Sequence, residues 1–269
     1  MLYPSVSSII NNMEDRGQAQ AYMADLEKKD FSEFDEEIKK AEEYNNELIN
    51  TVILTDPFDY SAYELMGEKY VETLNVNGDG LIGFVEIPSI NVNLPIYHGT
   101  SEEVLKKGAG HLENTSLPVG GPSTHSVISA HTAFPTKTFF DYLTDMNEGD
   151  VFYLKILNRT LKYKVDQIKV VLPDNVDDLY VEEGKDYCTL LTCTPYSINT
   201  HRLLVRGIRV PYEPEKEKSG VSSMQITDNY LYFMGYRLPF IVVPTLIILI
   251  ILISLLTVFM AIKRRRKNA

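Results

Sequence analysis

Thr189-Leu190-Leu191-Thr192-Cys193 is an apolar, β-prone run that ends on a thiol. Pro195 breaks the ladder directly after it, and His201-Arg202-Leu203-Leu204-Val205-Arg206 begins a second run of the same kind. A short loop thus joins two strands whose adjoining ends carry one sulfur and one guanidinium. A thiol held rigidly beside a fixed cation can serve as a nucleophile, and the cation can stabilise a developing oxyanion. Taken alone, a cysteine after an apolar run is as readily a small buried hydrophobe.

The thiol needs a proton partner, and the chain offers five histidines. His98 and His111 each adjoin a glycine and read as polar surface residues of loops. His125 opens an apolar run that His131 closes, so His131 stands at a strand end. His201 is adjacent to Arg202 and faces the other way on its strand. Arg206 shares the face of Arg202 by even spacing but lies farther from the thiol, which leaves it to a rim or surface ion pair. Cys188 and Cys193 are about 16 Å apart along one strand, beyond disulfide reach. Both are expected as free thiols on opposite faces, Cys188 in the packing and Cys193 in the chemistry.

The run Thr189 to Cys193 resembles the TLxTC motif of sortases, cysteine transpeptidases of Gram-positive cell surfaces. Arg202 stands where their active-site arginine stands, and His131 matches their histidine by its place in Ser129-Ala130-His131-Thr132. The likeness extends from about Leu81 to Val210. It implies Cys193, His131 and Arg202 as the catalytic residues, with no cofactor and no metal. Thr132-Ala133 departs from the Arg-Gly that many relatives carry after the histidine, which bears on substrate preference more than on catalysis. Asp56-Pro57-Phe58 would by itself be a turn. Beside such a thiol it resembles the lid of class C, pilus-building sortases, in which Asp56 would pair with Arg202 and Phe58 would cover the cysteine. Such a plug must be displaced before substrate enters.

Positioning these groups falls to short β-prone runs that follow a Gly-Asp-Gly turn at Gly78 to Gly80. They are Leu81 to Ile87, Val92 to Tyr97, His125 to His131, Asp150 to Leu157, Thr160 to Val171, Tyr187 to Thr194 and Arg202 to Val210, separated by Gly and Pro clusters. Helical stretches are expected at Ser101 to Lys107 and Phe139 to Met146. The pattern is mainly β, and the resemblance implies the eight-stranded sortase barrel. Ahead of it, Ser5 to about Tyr70 is rich in Glu, Lys, Asp, Ala and Leu. Apolar residues at Tyr22, Leu26, Ile38, Tyr44 and Leu48 suggest two amphipathic helices.

The net charge of -11 argues against nucleic acid as a partner. Pro239 to Ile262 is uncharged and, as a helix, would span roughly 36 Å, more than a hydrocarbon core of about 30 Å. Lys263-Arg264-Arg265-Arg266-Lys267 then reads as its cytoplasmic flank, with the acidic domain outside the cell. Met1-Leu2-Tyr3-Pro4 carries no apolar h-region, so no signal peptide is expected there. The chain divides into a helical segment (1–53), a lid (54–62), a connector (63–79), the barrel (80–212), a juxtamembrane linker (213–238), a transmembrane helix (239–262) and a basic tail (263–269). The activity that the resemblance implies is cleavage of LPxTG-like sorting signals through a thioester, followed by joining of pilin subunits at a lysine amine. The alternatives are a hydrolytic cysteine peptidase or a cell-wall-anchoring sortase on the same fold, and a surface binding module without chemistry.

Overall fold

The computed structural model describes residues 17–22, 24, 26, 31–48, 56–58, 67–135, 137–214, 224–226, 230–233, 236–239, 248 and 254. Eight strands close into one barrel: β1 (Leu81–Ile87), β2 (Val92–His98), β3 (Ala109–His111), β4 (Thr124–Ser129), β5 (Val151–Ile156), β6 (Arg159–Val171), β7 (Asp186–Thr194) and β8 (His201–Val210). Their order around the barrel is β1-β2-β3-β4-β7-β8-β6-β5. The pairs β2–β3 and β4–β7 are parallel, and the other contacts are antiparallel. The interior is filled by β-branched, aliphatic and aromatic side chains from every side, among them Phe84, Ile96, Ile128, Phe152, Tyr163, Leu190 and Val205, all fully buried. Each such aliphatic or aromatic side chain stabilises the fold by roughly 1.5–3 kcal/mol. The turn into β1 needs the left-handed backbone, and Gly78 and Gly80 supply it at φ 74° and 81°.

Outside the barrel, α1 (Phe31–Leu48) lays a stripe of Phe34, Ile38, Ala41 and Tyr44 against it. That spacing of three to four residues puts one face of a helix inward and leaves its charges in water. The stripe also carries Asn45, whose buried carboxamide pairs with a backbone as a strand neighbour would. Its Oδ1 accepts the Leu117 N–H at 2.7 Å, and its Nδ2 donates to the Leu117 carbonyl at 3.1 Å. Asn45→Ala should therefore orphan two buried backbone groups and lower the unfolding free energy by about 2–4 kcal/mol. A urea midpoint that does not move would show that this clamp contributes nothing.

Two short helices complete the frame, α2 (Glu68–Glu72) and α3 (Glu102–Lys107), the latter capped where Ser101 Oγ accepts the Val104 N–H. Residues 17–22 are helical, with Tyr22 buried against Phe84. The start of the expected first helix, residues 5–16, lies outside the described residues.

Four expectations change. His98 and His111 are not surface residues of loops: they end β2 and β3 and are buried. Both ring nitrogens of His98 face backbone carbonyls, those of Gly80 and Thr73. His111 lies between the Tyr70 hydroxyl and the Ser116 carbonyl, and burial pushes its pKa down to about 3. The run from His125 stops as a strand at Ser129, so His131 lies two residues into the following loop. Phe139 to Met146 is not a helix; only Leu143–Asp145 forms a 3-10 turn. The Asp141 side chain takes backbone N–H groups there, which competes with helical bonding. The stretch read as a linker carries a three-stranded antiparallel sheet of β9 (Met224–Ile226), β10 (Tyr230–Phe233) and β11 (Tyr236–Pro239).

The apolar run 239–262 lies outside the described residues apart from Pro239, Ile248 and Ser254. Among the described residues, no helix is long and apolar enough to cross a membrane.

Candidate active site

Register brings the three proposed groups together. In the parallel pair β4–β7, Ile128 lies opposite Leu190 and Ser129 opposite Leu191. Carried two residues further, that register sets His131 level with Cys193. The zip continues past the strand end: Ala130 N–H donates to the Leu191 carbonyl at 3.1 Å, and Thr192 Oγ1 donates to the Ala130 carbonyl at 2.7 Å. On the other side of β7, the antiparallel ladder places Cys193 directly opposite Arg202. His131, Cys193 and Arg202 thus form one row across three neighbouring chain segments, which lie about 4.8 Å apart.

Asp56, Pro57 and Phe58 lie over that row. Arg202 Nε donates to Asp56 Oδ1 at 2.8 Å and its Nη2 to Oδ2 at 2.5 Å, a bidentate pair in which both side chains are about nine-tenths buried. The remaining Nη1 donates to the carbonyls of Asn199 and His201 at 3.1 and 3.0 Å. These two bonds fix the guanidinium whatever happens to Asp56, so Nε and Nη2 are the donors that a displaced Asp56 would free. Asp56 Oδ1 also accepts the Phe58 N–H at 3.4 Å, which folds the Asp-Pro-Phe turn back on itself. The Phe58 ring bridges the row, 5.2 Å from the Arg202 guanidinium and 5.7 Å from the His131 ring. It also packs on an apolar cluster of Leu112, Val127, Leu179, Leu191 and Leu204.

This cover sets the protonation of the pair beneath. Cys193 is only 8% exposed, and burial pushes its thiol up to about 11, with Arg202 pulling it down and Asp56 pushing it further up. Burial also lowers the His131 imidazole, with Glu102 opposing and Lys106 reinforcing the shift. Both shifts favour the neutral forms, the thiol and the unprotonated imidazole.

Cys188 is fully buried in the barrel core, and both cysteines are free thiols. His125 is buried between the Tyr180 carbonyl and the Thr189 hydroxyl. His201 is turned to the Thr200 hydroxyl. Arg206 forms a bidentate pair with Asp166, and its Nη1 donates a single bond to Glu182 Oε1. Among the described residues, no group of three or more His, Cys, Asp or Glu side chains could hold a metal ion. Sequence reasoning missed three groups around His131: Phe134, stacked on its ring at 5.5 Å, Phe139, edge-on at 6.3 Å, and Asp141 behind both. Only the aromatic enrichment of Phe134, Phe139 and Phe140 just after the histidine could have pointed to them.

Residues 85–210 match the family model described as the sortase domain. The sortase A of Streptococcus agalactiae is 27% identical over 168 residues, covering 61% of this chain and 64% of that protein, so the chain spans just under two thirds of that curated relative. Two solved structures cover more. The sortase C-1 of Streptococcus pneumoniae is 48% identical with a TM-score of 0.69, over 73% of this chain and all of the other. A pilus-related sortase C of group B Streptococcus is 46% identical with a TM-score of 0.65, over 74% of this chain and 97% of the other.

Proposed function

Because the chain belongs to the sortase family, we propose that it is a cysteine transpeptidase of the class C, pilus-building kind, in which Cys193 is the nucleophile, His131 the proton-transfer group and Arg202 the oxyanion site. The observation that carries this reading is the bidentate Asp56–Arg202 pair with Phe58 spanning to His131, a built-in plug on the row of three.

In the proposed sequence the lid leaves first. Arg202 regains two free donors and loses its counter-anion, and the thiol is solvated, so its proton passes to His131. Cys193 Sγ attacks the carbonyl carbon of an LPxTG-like signal between Thr and Gly, and the oxyanion is held by Arg202 Nε and Nη2. The imidazolium protonates the departing glycine amine as the C–N bond breaks, leaving a thioester. The Nζ of a lysine on a neighbouring pilin then attacks that thioester, its proton goes to His131, and the thiolate departs from the new amide. The apolar cluster vacated by Phe58 fits the Leu-Pro part of such a signal. The uncharged run 239–262 with its basic flank supports a membrane tether, the catalytic domain outside the cell and residues 263–269 in the cytoplasm.

Incubating the full chain in detergent with a pilin that carries an LPxTG-like signal should give ladders resistant to sodium dodecyl sulfate. Products ending in a free carboxylate and no ladder would instead assign a hydrolytic peptidase. Neither product, with a Cys193 thiol of ordinary reactivity, would leave a binding module.

A further inference from the structure

The loop after His131 leaves the barrel, carries two aromatic rings onto the imidazole and returns. Phe134 stacks on His131 at 5.5 Å and 16°, and Phe139 meets it edge-on at 6.3 Å and 62°. The two rings also meet each other in a T at 5.5 Å. With Phe58 they enclose the imidazole on three sides, but Phe58 belongs to the removable plug, so only Phe134 and Phe139 remain once substrate is admitted.

One side chain spans that loop. Asp141 Oδ1 accepts the Ala133 N–H at 3.0 Å, and Oδ2 accepts the Phe139 N–H at 2.8 Å. One carboxylate thus ties the outgoing and returning limbs, at Ala133 just before Phe134 and at Phe139 itself. The Phe140 N–H closes the base of the loop on the His131 carbonyl at 3.0 Å. Ala133 stands at φ 59°, a left-handed conformation that a residue with a Cβ adopts only at a cost. The N–H bond to Asp141 is what keeps it there. Lys137 adds a weaker tie, its Nζ donating to the Lys107 carbonyl at the end of α3 while lying 5.2 Å from the Phe139 ring.

We propose that Asp141 is a positioning residue for the reaction: by clamping both limbs of the loop it fixes Phe134 and Phe139 on His131, and so fixes the direction in which the imidazole faces Cys193. This rests on the reading of His131 as the proton-transfer group. Asp141 touches no reacting atom. Burial raises its own pKa, and the group that faces it from the β7–β8 loop is Tyr196, while Glu102 and Lys106 face His131 from α3.

The test uses Asp141→Asn in the full chain. The amide keeps one acceptor oxygen and turns an NH2 toward the other N–H, so the clamp opens with little change in size. With a fluorogenic LPxTG-type peptide, kcat should fall about 10- to 100-fold while KM stays within about twofold, because proton transfer is misdirected and peptide binding is not. In chain carrying labelled histidine, the His131 ring resonance should titrate at a higher pH than in the parent, since rings that no longer enclose it no longer desolvate it. An unchanged kcat together with an unchanged His131 titration overturns the proposal. If circular dichroism shows Asp141→Asn unfolded, Phe134→Leu decides: it keeps the clamp, removes the stacked ring and should give the same two changes, and their absence overturns the proposal equally. Should the parent chain fail to turn over any sorting peptide, the transpeptidase reading falls, while the His131 titration still decides the role of Asp141.

Discussion

Cys193→Ala is expected to leave no acyl-enzyme and to lower cleavage of an LPxTG-like peptide on the order of 10⁶-fold, the scale on which enzymes that act through a covalent intermediate lose turnover without their nucleophile. The loss should be total at the level of chemistry because no neighbouring group can stand in. Thr192, the adjacent hydroxyl, is committed to the Ala130 carbonyl, and Cys188 is sealed in the barrel core. The control is Cys188→Ala. That thiol lies in the β7–β8 ladder opposite Gly207, fully buried, with burial holding its pKa well above the ordinary range. Removing its sulfur should cost stability of about 1 kcal/mol and leave turnover intact. Mass spectrometry of the chain mixed with peptide reads both results: an acyl adduct on the parent and on Cys188→Ala, and none on Cys193→Ala. Turnover surviving in Cys193→Ala would end the proposed mechanism, whatever the fold.

The sequence made different parts of this site visible for different physical reasons. Cys193 and Arg202 are joined by a short loop, so a hairpin reading alone sets them opposite one another, as the β7–β8 register has them. His131 is another matter. It meets Cys193 through the parallel pairing of β4 with β7, and nothing local in either strand specifies that partner or its register. Only the resemblance carried by Ser129-Ala130-His131-Thr132 pointed to it. The same holds for Asp56, whose partner Arg202 is 146 residues away. The seven β-prone runs were legible from composition, whereas β3, three residues long with a central glycine, offered no period to read. That omission also misplaced His98 and His111. A histidine beside glycine suggests a loop, but here Gly110 pairs in the sheet and Gly99 donates its N–H to Tyr70, which turns both imidazoles inward. The failed helix at Phe139 has its cause in Asp141, a side chain that competes for backbone N–H groups across a gap of eight residues, where periodicity is blind.

Removing the plug should have the second large effect. Asp56→Ala with Phe58→Ala is expected to speed modification of Cys193 by a bulky thiol reagent at neutral pH, and to move the midpoint of rate against pH downward. The sign follows from three contributions to the thiol. Burial raises its pKa, and Phe58 is part of what excludes water; Asp56 raises it as a nearby anion; Arg202 lowers it. Losing both lid side chains weakens the two that raise and leaves the one that lowers. If the thiol returned from about 11 to the ordinary 9.0, the thiolate fraction at neutral pH would rise about 100-fold. A less basic thiolate is also a weaker nucleophile, here by about 10-fold, so roughly 10-fold acceleration remains from protonation alone. Relief of the steric cover adds to this for a bulky reagent and adds little for a small one. Comparing reagents of two sizes on the parent, the two single variants and the double variant therefore separates the charge of Asp56 from the cover of Phe58. Asp56→Ala should move the pH midpoint equally for both reagents, because it removes an anion and strips the counter-anion from Arg202, and Phe58→Ala should show the greater dependence on reagent size. A double variant modified no faster than the parent by either reagent would mean that the Asp-Pro-Phe turn does not gate this thiol, and the lid would leave the proposed sequence of steps.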